Sequence, residues 1–175
     1  MKKMLFLAVS FIAAVLCADE IKIDFNASSP WKEVRNHSKR LTFENKEFLG
    51  KKATVVSLPA NTKPCDTAFS LGTAKFSVKG KKAITVKYTW AGSKKMSGFK
   101  GGAWWRSAVQ WYDGANKEIP ATLLPLTAAT GAYQSVTREI PVPAGAVTAY
   151  VHFGFDSPNI TPTTFFAITD VSVIY

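Results

Sequence analysis

Cysteine is almost missing from this 175-residue chain, which holds only Cys17 and Cys65. Cys17 falls in an N-terminal stretch that reads as a leader, so the remainder can build neither a disulfide framework nor a cysteine zinc cluster. Cys65 is left as a small apolar residue for the interior, or as a link between two copies. Histidine is equally scarce, His37 and His152 being the whole supply, and they form no convincing metal set with the scattered acids. There is no Gly-x-Ser-x-Gly nucleophile turn, no His-Glu-x-x-His helix motif and no phosphate-cradling glycine loop. Those absences argue against an enzyme. After Leu16 no apolar run is long enough to span a membrane. No segment keeps a helical period for three turns, and the best helical candidate, Thr122–Thr130, is interrupted by Pro125. Acidic residues are the minority charge, 12 Asp+Glu against 22 Lys+Arg, for a formal net charge of +10.

The first residues have the layout of a secretory signal peptide. Lys2 and Lys3 precede the apolar run Met4–Leu16, and Asp19-Glu20 follow a short stretch of small residues. Cleavage is expected after Ala18, making residues 1–18 the leader and 19–175 a single exported domain, long enough for a full core. Lipid attachment at Cys17 is disfavoured because bulky Leu16 stands where a small residue is needed. The expected location is secreted, periplasmic or cell-surface, without a transmembrane segment and as a monomer. Loss of the leader lysines leaves a charge of about +8, which favours acidic partners. The Lys-Lys pairs at 51–52, 81–82 and 94–95 are dispersed, however, which reads as solubility, and nucleic acid is not expected as a partner.

What is present is strand pattern. Ile21–Phe25, Arg40–Glu44, Lys52–Ser57, Thr67–Val78, Ala83–Trp90, Trp104–Tyr112, Tyr133–Val142, Thr148–Phe155 and Phe165–Tyr175 are rich in β-branched and aromatic residues. Ile84, Val86, Tyr88 and Trp90 share one face of their segment. Val147, Ala149, Val151, Phe153 and Phe155 share one face of theirs, with Thr148, Tyr150, His152 and Gly154 on the other. Turn signals at 79–81, 98–102, 113–114, 130–131 and 143–145 separate the runs. Many short strands with frequent turns predict an all-β fold, a two-sheet antiparallel β-sandwich or jelly roll.

The run Ala103–Asp113 concentrates the chemistry. Trp105, Ser107, Val109 and Trp111 fall on one side of an extended chain and suit a core. Trp104, Arg106, Gln110 and Tyr112 fall on the other, where flat rings mix with hydrogen-bonding groups. Sugar rings have apolar C–H faces fringed by hydroxyls, and aromatic plates beside planar polar groups recognise them. Trp90, Trp105 and Trp111 are expected as core, Trp31 as a plug. The glycine-rich stretch 92–102, with Lys94, Lys95 and Lys100, is a candidate binding loop for an anionic ligand.

Several runs resemble one family. Phe76–Val78 leading to Ala83–Trp90 looks like a strand, turn and strand entering a sheet. Trp111-Tyr112-Asp113-Gly114 with Lys117-Glu118-Ile119 is similar to an aromatic-x-Asp-x-x-Gly-Lys-Glu hairpin. Tyr133–Val136 followed by Ile140–Ala146 resembles an aromatic-x-x-Val … Val-Pro-x-Gly-Ala run, and Phe165–Val173 resembles a closing aromatic-x-Asp-Asp-Val-x-Val strand, with Thr169 at an acidic position. Together, over residues 67–175, they resemble galactose-binding-like jelly rolls, in particular the carbohydrate-binding modules attached to bacterial glycoside hydrolases. No catalytic domain accompanies them here.

That resemblance implies two antiparallel sheets, a ligand site on a concave sheet face or in end loops, and a polysaccharide or oligosaccharide as partner. It also makes Trp104–Tyr112 and Thr148–Phe155 near neighbours, so that Trp104, Arg106, Gln110, Tyr112, Tyr150 and His152 form one surface. No cofactor is required, although a structural Ca2+ is frequent in the family, with Asp170 and either Asp24 or Asn26 as its oxygen ligands here. Two alternatives stand beside this reading: a structural or adhesive protein that binds another protein, and a polysaccharide lyase in which Arg106 neutralises a uronate while Tyr112 or Tyr150 and His152 move protons.

Overall fold

The computed structural model describes residues 18–37, 39–93, 104–105, 107–124 and 129–175, with only the backbone given for Asp66, Trp104, Trp105 and residues 157–159. Thirteen strands run through these residues: β1 (Glu20–Lys22), β2 (Glu33–Asn36), β3 (Thr42–Phe48), β4 (Lys51–Ser57), β5 (Cys65–Gly72), β6 (Phe76–Ser77), β7 (Ala83–Gly92), β8 (Trp104–Trp105), β9 (Ala108–Tyr112), β10 (Glu118–Leu123), β11 (Gln134–Pro141), β12 (Thr148–Ile160) and β13 (Phe165–Ile174). No helix occurs among the described residues.

The strands form two antiparallel sheets packed as a β-sandwich. The six-stranded sheet runs β11-β7-β13-β4-β3, with β1 on β13. The seven-stranded sheet runs β10-β9-β12-β5-β2, with β6 and β8 on β12. Alternation decides which rows meet. Ile84, Val86, Tyr88 and Trp90 of β7 face Ala149, Val151, Phe153 and Phe155 of β12 in one core, all of them buried. Trp111 is buried with them, and its indole N–H donates to Thr122 Oγ1 at 3.0 Å. Trp31 is the expected plug. Its ring meets Phe25 and Phe153 edge-on, and its Nε1–H donates to the Thr54 hydroxyl at 2.8 Å, so its one polar atom is satisfied inside.

Some boundaries differ from the sequence expectation. The run 67–78 is split into β5 and β6, because Thr73 leaves the ladder to exchange hydrogen bonds with Val151: its N–H donates to Val151 O, and its hydroxyl accepts from Val151 N–H. The run 104–112 is split into β8 and β9. Two edge strands, β2 and β10, were not expected. Residues 125–128 of the helical candidate lie outside the described residues, and Glu118–Leu123 before them is strand. Trp105 and the loop 94–103 likewise lie outside what is described of side chains.

Candidate functional site

β12 is the spine of the site. β9 pairs along one flank of it, with Tyr112 opposite Thr148, Gln110 opposite Tyr150 and Ala108 opposite His152. β5 pairs along the other flank, with Gly72 opposite His152, Ser70 opposite Gly154 and Ala68 opposite Asp156. β2 adds the edge, with Arg35 opposite Ser70 and Glu33 opposite Gly72. Residues directly opposite share a face. The strands of the two aromatic segments are therefore neighbours, and their non-core rows share the outer face of the seven-stranded sheet.

That face is hollow because its centre is made of small residues. Ala68, Ser70 and Gly72 on β5, Gly154 on β12 and Ala108 on β9 share this face, and Ala68 and Ser70 form the floor. Gly154 is demanded by the approach of the next strand, since a Cβ there would stand 2.2 Å from Phe69 O. A cleft of about 550 Å³ results, lined by Arg35, His37, Thr67, Ser70, Tyr150, His152 and Asp156 around this floor.

The cleft's polar groups are held in place. Arg35 Nε–H donates to Glu33 Oε1 at 2.6 Å, and this pairing raises the guanidinium further above its ordinary value. Tyr112 and Tyr150 stack with ring centroids 6.2 Å apart, and His152 lies 5.6 Å from Tyr150. Burial pushes both phenols up. Burial and, secondarily, the Arg35 charge push His152 down, so the imidazole is neutral at pH 7. Its Nδ1 lies 3.5 Å from Ser70 Oγ. A neutral imidazole, a phenol, a hydroxyl and a guanidinium already balanced by Glu33 make a surface of donors and acceptors with little net positive charge. Among the described residues no lysine lines it, despite the basic composition of the chain.

The residues expected from sequence fall into three groups. Tyr150 and His152 line the cleft. Gln110 and Tyr112 are on the same face but beside it. The Gln110 amide donates to Ile119 O at 3.0 Å and to Trp111 O at 3.3 Å, bracing β9 against β10 where their register slips. Tyr112 is only 9% exposed, and the Lys75 ammonium covers its ring at 3.7 Å. β8 pairs Trp104 with Asp156, the register position at one end of the cleft, while its side chain and all of Arg106 lie outside the described residues. The sequence reading missed Arg35, His37, Ser70 and Asp156. The available signal was the alternation of small residues with Phe69, Leu71, Phe153 and Phe155: large inward and small outward on adjacent strands marks a hollow.

Asp24 and Asp170 both line a second depression, of about 490 Å³, where β1 leaves β13. The described side chains there do not fit a calcium ion. Asp170 Oδ2 accepts from the Lys51 ammonium at 2.7 Å, Asp24 Oδ1 accepts from Asn26 N–H at 2.9 Å, and Lys22 and Lys52 also line the walls. Calcium needs six to eight oxygens with an anionic balance, whereas three lysines here outnumber two carboxylates. Among the described residues no group of three or more His, Cys, Asp or Glu could hold a metal ion.

Two antiparallel sheets, one of them hollowed on its outer face, define the class of fold as a β-sandwich. Solved structures give the likeness particular form. The C-terminal family 22 carbohydrate binding module of Clostridium thermocellum Xyn10B matches with a TM-score of 0.50 at 9% identity, over 88% of this chain and 91% of that one. The enzymatically active domain of bacteriophage CBA120 tailspike protein 4 matches with a TM-score of 0.53 at 12% identity, over 87% of this chain. The chain spans 20% of that tailspike structure. A xylan-binding CBM22-1 domain from Paenibacillus barcinonensis Xyn10C gives a TM-score of 0.49 at 6% identity, covering 90% and 95% of the two chains. At such identities the likeness is one of fold. No protein-family model and no curated protein matches the chain.

Proposed function

We propose that this chain is an exported, noncatalytic carbohydrate-binding protein that takes a polysaccharide or oligosaccharide segment into the cleft over β5 and β12. The observation that carries this reading is the cleft itself, where Tyr150, His152, Arg35, Ser70 and Asp156 converge over small residues. A hollow floored by Ala68 and Ser70 admits a pyranose ring, Tyr150 offers an apolar wall, and the polar rim suits hydroxyls. The Clostridium thermocellum family 22 module is described as binding ligand through residues of a cleft, which supports the same use here. Trp104, paired with Asp156 through β8, is proposed as a second aromatic contact at that end.

The charge pattern favours a neutral glycan. Arg35 is already paired with Glu33, which leaves it little charge to offer a uronate. For the lyase alternative, Arg106 lies outside the described residues, while burial raises the Tyr112 and Tyr150 phenols and makes them poorer bases at neutral pH. Secretion after cleavage at Ala18 belongs to the same proposal and rests on the sequence of the leader.

The test is electrophoresis of the purified protein in gels containing neutral xylan, β-glucans or acidic polysaccharides. A neutral polymer is expected to retard the protein. Tyr150→Ala and Trp104→Ala are each expected to weaken retention by about tenfold or more, as loss of a central aromatic contact does. Retention only by acidic polymers, or retention indifferent to Tyr150, contradicts the reading.

A further inference from the structure

Lys75 occupies the bend between β5 and β6, strands that pair with the same flank of β12: Gly72 opposite His152 and Ser77 opposite Thr148. Tyr112 is on β9, paired with the other flank of β12. The Lys75 side chain therefore crosses β12 on its outer face. It is held at two points beyond the crossing, with its ammonium 3.7 Å from the Tyr112 ring centroid and 3.0 Å from Asn116 Oδ1. The second anchor is itself fixed. Asn116 takes φ 59°, a left-handed conformation asparagine tolerates, inside a turn in which Asp113 Oδ1 accepts from the N–H groups of Ala115 and Lys117. A merely solvated lysine would not be tied to a ring and to a braced amide at once.

Tyr112, Tyr150 and His152 stand in a row, with successive ring centroids 6.2 Å and 5.6 Å apart. The row would continue the wall of the cleft along β12, yet Lys75 covers its last ring and leaves Tyr112 9% exposed. We infer that Lys75 is a specificity-determining residue that sets the length of glycan the cleft accepts, by withholding the Tyr112 ring from the ligand. This inference rests on the reading of the cleft as a glycan site. Removal of the strap exposes one further aromatic subsite, so long ligands gain and short ones do not.

Calorimetric titration with the tri- and hexasaccharides of β-1,4-xylan, β-1,4-glucan and β-1,3-glucan tests it. For the sugar series that the wild type binds, Lys75→Ala is expected to raise hexasaccharide affinity about three- to tenfold, as one added aromatic contact does, with trisaccharide affinity unchanged. Lys75→Arg keeps a cation over the ring and is expected to match the wild type. Adding Tyr112→Ala to Lys75→Ala is expected to erase the gain. Wild type and Lys75→Ala that bind with the same hexasaccharide-to-trisaccharide ratio overturn the inference while the cleft reading stands, and so does a gain that survives loss of Tyr112. Absence of binding by every variant to every sugar instead defeats the cleft reading, and the inference with it. A Lys75→Ala protein that binds hexasaccharide where the wild type binds none supports it.

Discussion

At residue scale the sheet that carries the cleft depends on a missing side chain. Gly154 has no Cβ, and one added there would collide with the Phe69 carbonyl on the neighbouring strand. Gly154→Ala must therefore push β5 from β12, and a loss of about 1–3 kcal/mol is expected in urea unfolding, the usual cost of overpacking. Wild-type stability for that variant would show that the strands are not so close. His152 makes a second residue-scale prediction. Its folded pKa is depressed by burial, so between that value and the ordinary ~6.5 the unfolded chain binds more protons. Its contribution to stability is complete above about pH 6.5 and is lost as pH falls through the depressed value. Denaturant midpoints measured from pH 7.5 to 5 are expected to fall more steeply for the wild type than for His152→Gln. Parallel profiles would contradict this.

At the scale of elements, β7 and β12 were legible because a strand buried on one side writes its burial as a period of two. The rows Ile84–Trp90 and Ala149–Phe155 are both core, as the alternation required. The edge strands were not. β2 reads Glu-Val-Arg-Asn, four residues with charges and an exposed Val34, and β10 carries Pro120, which only an edge strand tolerates. Missing β2 moved the expected site. From Trp104–Tyr112 and Thr148–Phe155 alone the surface centres on β9 and β12, whereas Arg35 and Ser70 shift it towards β5 and β2. Tyr112 was read correctly as to face, but no local pattern announces that a lysine 37 positions earlier in the chain will lie on its ring. The β3–β4 hairpin supplies an element-scale prediction. Its turn residues Leu49 and Gly50 have φ 51° and 76°, and Leu49 is 53% exposed. Leu49→Asn places a residue suited to the left-handed region where no packing is lost, and about 0.5–1 kcal/mol of stabilisation is expected in thermal unfolding. No gain would mean that the leucine packs more than its exposure shows.

At the scale of the whole molecule, two sheets close one continuous core, and Asp19 and Tyr175 exchange backbone hydrogen bonds of 3.0 and 2.9 Å at its edge. Lys51 already occupies the Asp170 carboxylate beside that closure. Folding is therefore proposed to need no divalent cation, and chelator or millimolar Ca2+ is expected to leave the melting temperature unchanged; a saturable rise with calcium would contradict this. The hollow lined by Tyr150 and His152 lies on the seven-stranded sheet. The most direct measurement of the central claim is a two-dimensional NMR titration of the labelled protein with the hexasaccharides of β-1,4-xylan and β-1,3-glucan. The account predicts saturable shifts confined to the amides of Arg35, residues 68–72 and residues 150–156. Shifts centred on β7 and β11 of the opposite sheet, or no shift with either sugar, would contradict it.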